Sequence, residues 1–229
     1  MKRAFLFAAF VCAATFSFSQ EKTDWANFPK YEKENARVRK LPASERKVVF
    51  MGNSITEGWV RTDSAFFAQN VFIGRGSSGQ VTSQMLVRFR KDVLELNPKV
   101  VVILAGTNDI AENQGPIALE NVFGNIVSMA ELARYHGIKV IICSVTPASE
   151  YPWRKGKNPD VKIPELNTML ANYAKKNKIV YADYFSQMAN ANNGLDKELS
   201  NDGVHPTLAG YKIMEKVILP QINTLLNKR

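Results

Sequence analysis

From Val48 onward, short apolar runs rich in Val and Ile alternate with longer segments whose apolar positions recur every three to four residues. The first kind predicts buried strands and the second amphipathic helices; their alternation predicts a parallel sheet with crossover helices. Strands are expected at Val48–Met51, Val71–Ile73, Val100–Leu104, Val140–Cys143 and Ile179–Ala182. Helical stripes run through Leu86, Phe89, Val93 and Leu96, and through Leu119, Val122, Ile126, Met129 and Ala133. Two more run through Ile163, Leu166, Leu170 and Tyr173, and through Tyr211, Met214, Ile218, Ile222 and Leu225. Five strands with helices on both faces make an α/β fold, a flavodoxin-like three-layer α/β/α sandwich. With 229 residues and 45% hydrophobic content the chain can bury one good core, so residues 47–229 are expected to form a single domain.

What precedes the domain differs in kind. Lys2 and Arg3, the apolar run from Ala4 to Phe16, and small residues at Ser17 and Ser19 read as a secretory signal peptide over residues 1–19. Cleavage near Ser19–Gln20 would deliver an exported protein, periplasmic or extracellular. A lipid anchor on Cys12 is disfavoured because Val11 before it is not small. The apolar run is too short for a bilayer, and no later stretch reaches the roughly 20 apolar residues of a transmembrane helix. Residues 20–46 form a polar lead-in, expected to be a short helix laying Trp25, Phe28 and Tyr31 on the domain. With Cys12 gone, Cys143 is the sole cysteine, and its apolar surroundings mark it as a buried small hydrophobe.

The net charge of +9 becomes +7 once Lys2 and Arg3 leave. The densest basic stretch, Lys30 to Lys47, is interleaved with Glu32, Glu34 and Glu45, which suits a solvated helix face and argues against a nucleic-acid partner. Neither a zinc-protease helix motif nor a Walker-type or dinucleotide motif occurs, so no metal and no cofactor is expected.

Open parallel sheets bind ligands beyond the carboxyl ends of their strands. Polar clusters stand there: Gly52-Asn53-Ser54-Ile55-Thr56 after the first strand, Gly74 to Thr82 after the second, and Gly106-Thr107-Asn108-Asp109 after the third. A fourth, Asp202-Gly203-Val204-His205-Pro206, precedes the last helix. A serine hydroxyl becomes a useful nucleophile only with a base in reach and an acid orienting that base. Of two histidines, His136 sits at a helix end with Gly137 as its terminator, leaving His205 as the base candidate. Asp202, three residues before it in a Gly-containing turn, can fold back onto Nδ1, although Asp-Gly with Pro206 opening the closing helix is also ordinary structure. Ser54 has two readings as well: a helix N-cap, or a nucleophile at a helix N-terminus whose dipole favours a developing oxyanion. Gly79 and Asn108 are candidate oxyanion donors, against plain turn residues, and Asp109 reads as a cap or support.

Together the four clusters resemble the SGNH hydrolases, also called GDSL esterases, from about Val48 to Tyr211 and in the family's order. The resemblance implies Ser54 as nucleophile, Asp202 and His205 as the rest of a triad, and an oxyanion hole of the Ser54 and Gly79 amides with the Asn108 side chain. The family's first block usually reads G-D-S; here Asn53 replaces the Asp, which is not the triad acid, so the expected change is in hydrogen bonding of the nucleophile turn. The long segment Pro147 to Pro164 holds Trp153 and Arg154, read either as pocket lining or as surface packing. The resulting expectation is a secreted esterase removing short acyl groups, most plausibly acetyl, from a small-molecule or carbohydrate ester. A lysophospholipase or thioesterase, and a noncatalytic carbohydrate-binding relative, are the alternatives; intact Ser54, Asp202 and His205 speak against the last.

Overall fold

The computed structural model describes residues 24–227; the expected signal peptide and Cys12 lie outside the described residues. In chain order the elements are α1 (Pro29–Val38), β1 (Val48–Gly52), α2 (Ser54–Thr62), α3 (Ser64–Asn70), β2 (Phe72–Gly76), α4 (Thr82–Asp92) and β3 (Val100–Leu104). After them come α5 (Thr107–Ile110), α6 (Leu119–Tyr135), β4 (Lys139–Cys143), α7 (Pro159–Lys176), β5 (Val180–Ala182), α8 (Phe185–Met188) and α9 (Leu208–Asn227).

All five strands are parallel, in the order β2-β1-β3-β4-β5, which is the flavodoxin-like order. β1 and β3 are buried along their whole length, as strands covered on both faces must be. Alternate residues feed two cores. Val49, Met51, Val101 and Ile103 pack with Phe89 of α4, Ile126 of α6 and Leu166 of α7 on one face. Val48, Phe50, Val100 and Val102 pack with Trp59 of α2, Phe66 of α3 and Met214 of α9 on the other. Among the described residues, no helix is long and apolar enough to cross a membrane.

Register sets up the site. Gly52 pairs with both Gly76 and Leu104, so three strands end level and the chain that leaves them converges at one edge. Gly52 itself must lack a side chain, because a Cβ there would overlap the Thr56 hydroxyl as α2 turns back over the strand.

Several expectations are corrected. Val71 is not the first residue of the second strand: it ends α3 in the left-handed region, φ 55°, and β2 instead runs on through Gly74, Arg75 and Gly76. The fifth strand begins at Val180 rather than Ile179. The stripe from Leu86 to Leu96 is not one helix, since α4 stops at Asp92 and a separate 3₁₀ turn carries Leu94 to Leu96. Pro206 does not open the closing helix; it pairs in an isolated bridge with Ser200, and α9 begins at Leu208. The lead-in does contain a helix, α1, yet Trp25 and Phe28 are exposed and only Tyr31 packs, its hydroxyl donating to the Gly76 carbonyl at 2.5 Å. Cys143 is buried as expected, and desolvation pushes its thiol up to about 12.

Candidate active site

At the carboxyl edge the backbone leaves β1 and turns into α2. Asn53 is the N-cap: its Oδ1 accepts from the Ile55 amide at 3.1 Å. The capping role, one of the two readings of Ser54, therefore belongs to its neighbour, and Ser54 stands at the first helical position with its hydroxyl free for other work. An Asn caps as well as an Asp does, which explains how the turn tolerates Asn53 where G-D-S is usual.

The Ser54 hydroxyl lies 2.9 Å from His205 Nε2. On the far side of the ring, Nδ1 lies 2.6 Å from Asp202 Oδ2. The other carboxylate oxygen of Asp202 accepts from the amides of Val204 at 2.9 Å and His205 at 2.8 Å, and from the Ser200 hydroxyl at 3.1 Å. Burial opposes ionisation of Asp202, but these donors and the His205 ring outweigh it and bring its pKa down to about 2. An anion on Oδ2 holds the ring proton on Nδ1, so Nε2 presents its lone pair to Ser54.

Across the cleft, Gly79 adopts φ +76°, a conformation an L side chain resists. Among the described residues, the backbone amides of Ser54 and Gly79 have no acceptor. Asn108 is buried and donates through Nδ2 to the Gln80 carbonyl at 2.9 Å; an amide nitrogen carries two hydrogens, so one remains for the cleft. The Ser54 amide also sits at the N-terminal end of α2, where the helix dipole favours negative charge.

The loop carrying Gly79 is held from several sides. Glu57 accepts from the Ser78 amide and hydroxyl at 2.7 and 2.6 Å and pairs with Lys30 at 2.8 Å. Asp109 receives the Thr82 amide at 3.0 Å and its hydroxyl at 2.6 Å, the supporting role expected of it; burial pushes its carboxyl up to about 6. Beneath the loop, the buried Arg88 guanidinium donates to Gln80 Oε1 at 2.5 Å, the Gly52 carbonyl at 2.8 Å and Asp92 at 2.7 Å. Gln80 donates in turn to the Ala26 carbonyl at 2.9 Å. The lead-in is thus tied to the loop by this hydrogen bond as well as to the end of β2 by Tyr31.

The cleft over Ser54 has a volume of about 430 Å³. Trp153 forms one wall, its ring 6.0 Å from that of His205 and its indole N–H donating to Asn113 Oδ1 at 3.0 Å. Arg154, its expected companion, is exposed and does not line the cleft, while Tyr151 is buried behind Trp153. His136 ends α6 far along the chain with Gly137 following at φ +72°, the terminator role expected of that pair. Arg61, Asn113 and Tyr211 do line the cleft, and sequence reasoning missed them as site residues. Arg61 carried a signal, lying seven residues after Ser54 and so on the same face of a helix. Asn113 carried none.

A model of the GDSL-like lipase/acylhydrolase family matches residues 50–213. A crystal structure of a GDSL-like lipase from Bacteroides thetaiotaomicron is 50% identical, covers 88% of this chain and 99% of that one, and superposes with a TM-score of 0.85. Esterase TesA of Pseudomonas aeruginosa is 24% identical over 180 residues, 77% of this chain and 83% of its own. The uncharacterized lipoprotein YqeF of Bacillus subtilis is 36% identical over 81 residues, 34% of this chain and only 33% of that protein's length.

Proposed function

We propose, because this chain belongs to the GDSL-like lipase/acylhydrolase family, that it is an exported serine esterase removing short acyl groups, acetyl above all, from carbohydrate hydroxyls. The observation that carries the reading is the relay of 2.9 and 2.6 Å from Ser54 through His205 to Asp202, opening on a cleft with unengaged amide donors. Ser54 Oγ attacks the ester carbonyl while His205 Nε2 takes its proton. The carbonyl oxygen, now an anion, is met by the amides of Ser54 and Gly79 and by Asn108 Nδ2. Collapse expels the alcohol, which receives the proton from His205, and leaves an acyl-enzyme. Water, deprotonated by the same imidazole, then releases the acid and restores Ser54.

The oxyanion contact is strongest in the transition state, so Asn108→Ala is expected to lower kcat by about 10² to 10³ with little change in KM. Steady-state kinetics on an acetyl ester check this; a change confined to KM would make Asn108 a binding residue.

Acyl length follows from the lining. Among the described residues, none of the side chains lining the cleft is Leu, Ile, Val, Met or Phe; the exposed aromatic surface is that of Trp153, while Tyr211 is buried in the floor. The exposed Trp153 ring beside Asn and Ser suits a sugar, whereas a long acyl chain finds no aliphatic wall on which to bury its methylenes, each worth about 0.8 kcal/mol. On p-nitrophenyl esters from acetate to palmitate, kcat/KM should be highest at acetyl or butyryl and lower by at least about tenfold at octanoyl and beyond. Activity rising through decanoyl would instead favour the lysophospholipase or thioesterase reading. Release of acetate from acetylated xylan, tested beside it, probes the carbohydrate part.

A further inference from the structure

Ser54, Gly58 and Arg61 are spaced i, i+4, i+7 on α2 and share one face of that helix. All three line the cleft. Because Gly58 contributes no side chain, the stretch between the serine and the arginine is bare backbone, closed beneath by Tyr211, whose hydroxyl a Cβ on Gly58 would meet at 2.7 Å. Seven residues at the helical rise separate the two Cα atoms by about 10 Å along the axis, and the Cα–Cβ bonds of a helix tilt toward its N-terminus, the end where Ser54 stands.

Among the described residues, Arg61 is the only Lys or Arg lining the cleft, and no Asp or Glu lines it. Arg61 also borders the neighbouring hollow that Glu34, Glu45 and Glu57 line, where Glu34 is taken up by Arg75. Glu57 pairs with Lys30, Asp63 and Glu215 pair with Lys212, and Asp202 faces His205. Among the described residues, Arg61 has no ion-pair or hydrogen-bond partner. A guanidinium left unpaired at the rim of a concave site presents a planar fork of donors that matches a carboxylate or a phosphate.

Resting on the reading of this cleft as a short-chain esterase, we infer that Arg61 selects esters whose alcohol part carries an anionic group, a carboxylate or a phosphate, close to the scissile bond. An acetyl group has no place for a charge, so the anion belongs to the alcohol. That alcohol leaves on the His205 side, where Trp153 offers its face and the bare floor over Gly58 leads to the guanidinium.

Two matched pairs test this, with acid release as the readout: O-acetylglucuronate against its methyl ester, and acetylglycerol phosphate against monoacetylglycerol. At low ionic strength the wild-type protein should favour the charged member of at least one pair by about tenfold in kcat/KM. The preferred pair tells an acidic sugar from a phosphate-bearing alcohol. Added salt should shrink the preference, Arg61→Gln should bring the ratio close to one, and Arg61→Lys should keep part of it, since a point charge lacks the fork. Equal rates within both pairs, or a preference that survives Arg61→Gln, would overturn the inference while leaving the esterase reading intact. Failure to hydrolyse any pair member or p-nitrophenyl acetate would instead sink the esterase reading, and this inference with it.

Discussion

Ser54→Ala is expected to lower kcat on acetyl esters by about 10⁴-fold or more, while the melting temperature stays almost unchanged. The two halves of this expectation have separate causes. The Ser54 hydroxyl contacts His205 Nε2 at 2.9 Å, and without it no covalent step is available. Its removal costs the fold little, because Asn53 and not Ser54 caps α2. Alanine also has the higher intrinsic helix propensity of the two residues. Had Ser54 been the cap, the substitution would have cost about 1 kcal/mol and confused a folding defect with a catalytic one. Kinetics and thermal melting on the same preparation check the pair of outcomes, and near-normal turnover by the variant would refute the nucleophile assignment.

Asp202→Asn should cost on the order of 10⁴-fold in kcat, the scale known for replacing the acid of a serine-protease triad. Asparagine can keep Oδ1 toward the amides of Val204 and His205, so the turn survives. Its amide nitrogen would then face Nδ1 and donate to it. The ring responds by placing its own proton on Nε2, and Ser54 meets a donor where it needs a base. Nitrogen-15 spectra of the imidazole would report the exchanged tautomer alongside the kinetics. A loss below tenfold would assign Asp202 to the turn alone. The wild-type carboxyl, held at about 2, remains an anion at any ordinary working pH, so a loss of activity in mildly acidic solution does not come from its titration.

How far the chain could be read in advance varied with the physics of each segment. β1 and β3 were plain because every residue in them is buried, and a strand covered on both faces writes an unbroken apolar run. β2 was misplaced because its outer half is Gly74-Arg75-Gly76. Arg75 is nonetheless fully buried, donating to Asn35 at 2.8 Å and stacked over the Tyr31 ring at 4.7 Å, contacts that come from α1 and leave no trace in local pattern. Val71, β-branched and apolar, looked like strand and is a helix terminator. For a related reason α2 was legible only at its start, at Ser54, and not along its course: Thr56, Gly58, Val60 and Thr62 are weak helix formers. Its helix is secured from outside by Trp59, stacked between Phe66 and Tyr211 at centroid distances of 5.5 Å.

The candidate site was more legible than the helix that bears it. Ser54, Gly79, Asn108, Asp202 and His205 were all singled out, because an acid, a base and a nucleophile cannot be replaced by packing, and the strand ends said where to look. Arg61 was missed because only the start of α2 was legible, and its position on the Ser54 face has meaning only once the helix is known to run that far. Trp153 was visible as an aromatic in a long loop; that its neighbour Arg154 is exposed and does not line the cleft is something no spacing reveals.

Irreversible labelling with a fluorophosphonate tests the central claim most directly, because such reagents phosphonylate a serine only when a base activates it. Mass spectrometry of the inactivated protein should find a single adduct, mapped to the peptide containing Ser54, with activity lost in proportion to labelling and no adduct in Ser54→Ala. Inactivation with the adduct on another residue, or full labelling of Ser54→Ala, would contradict the account.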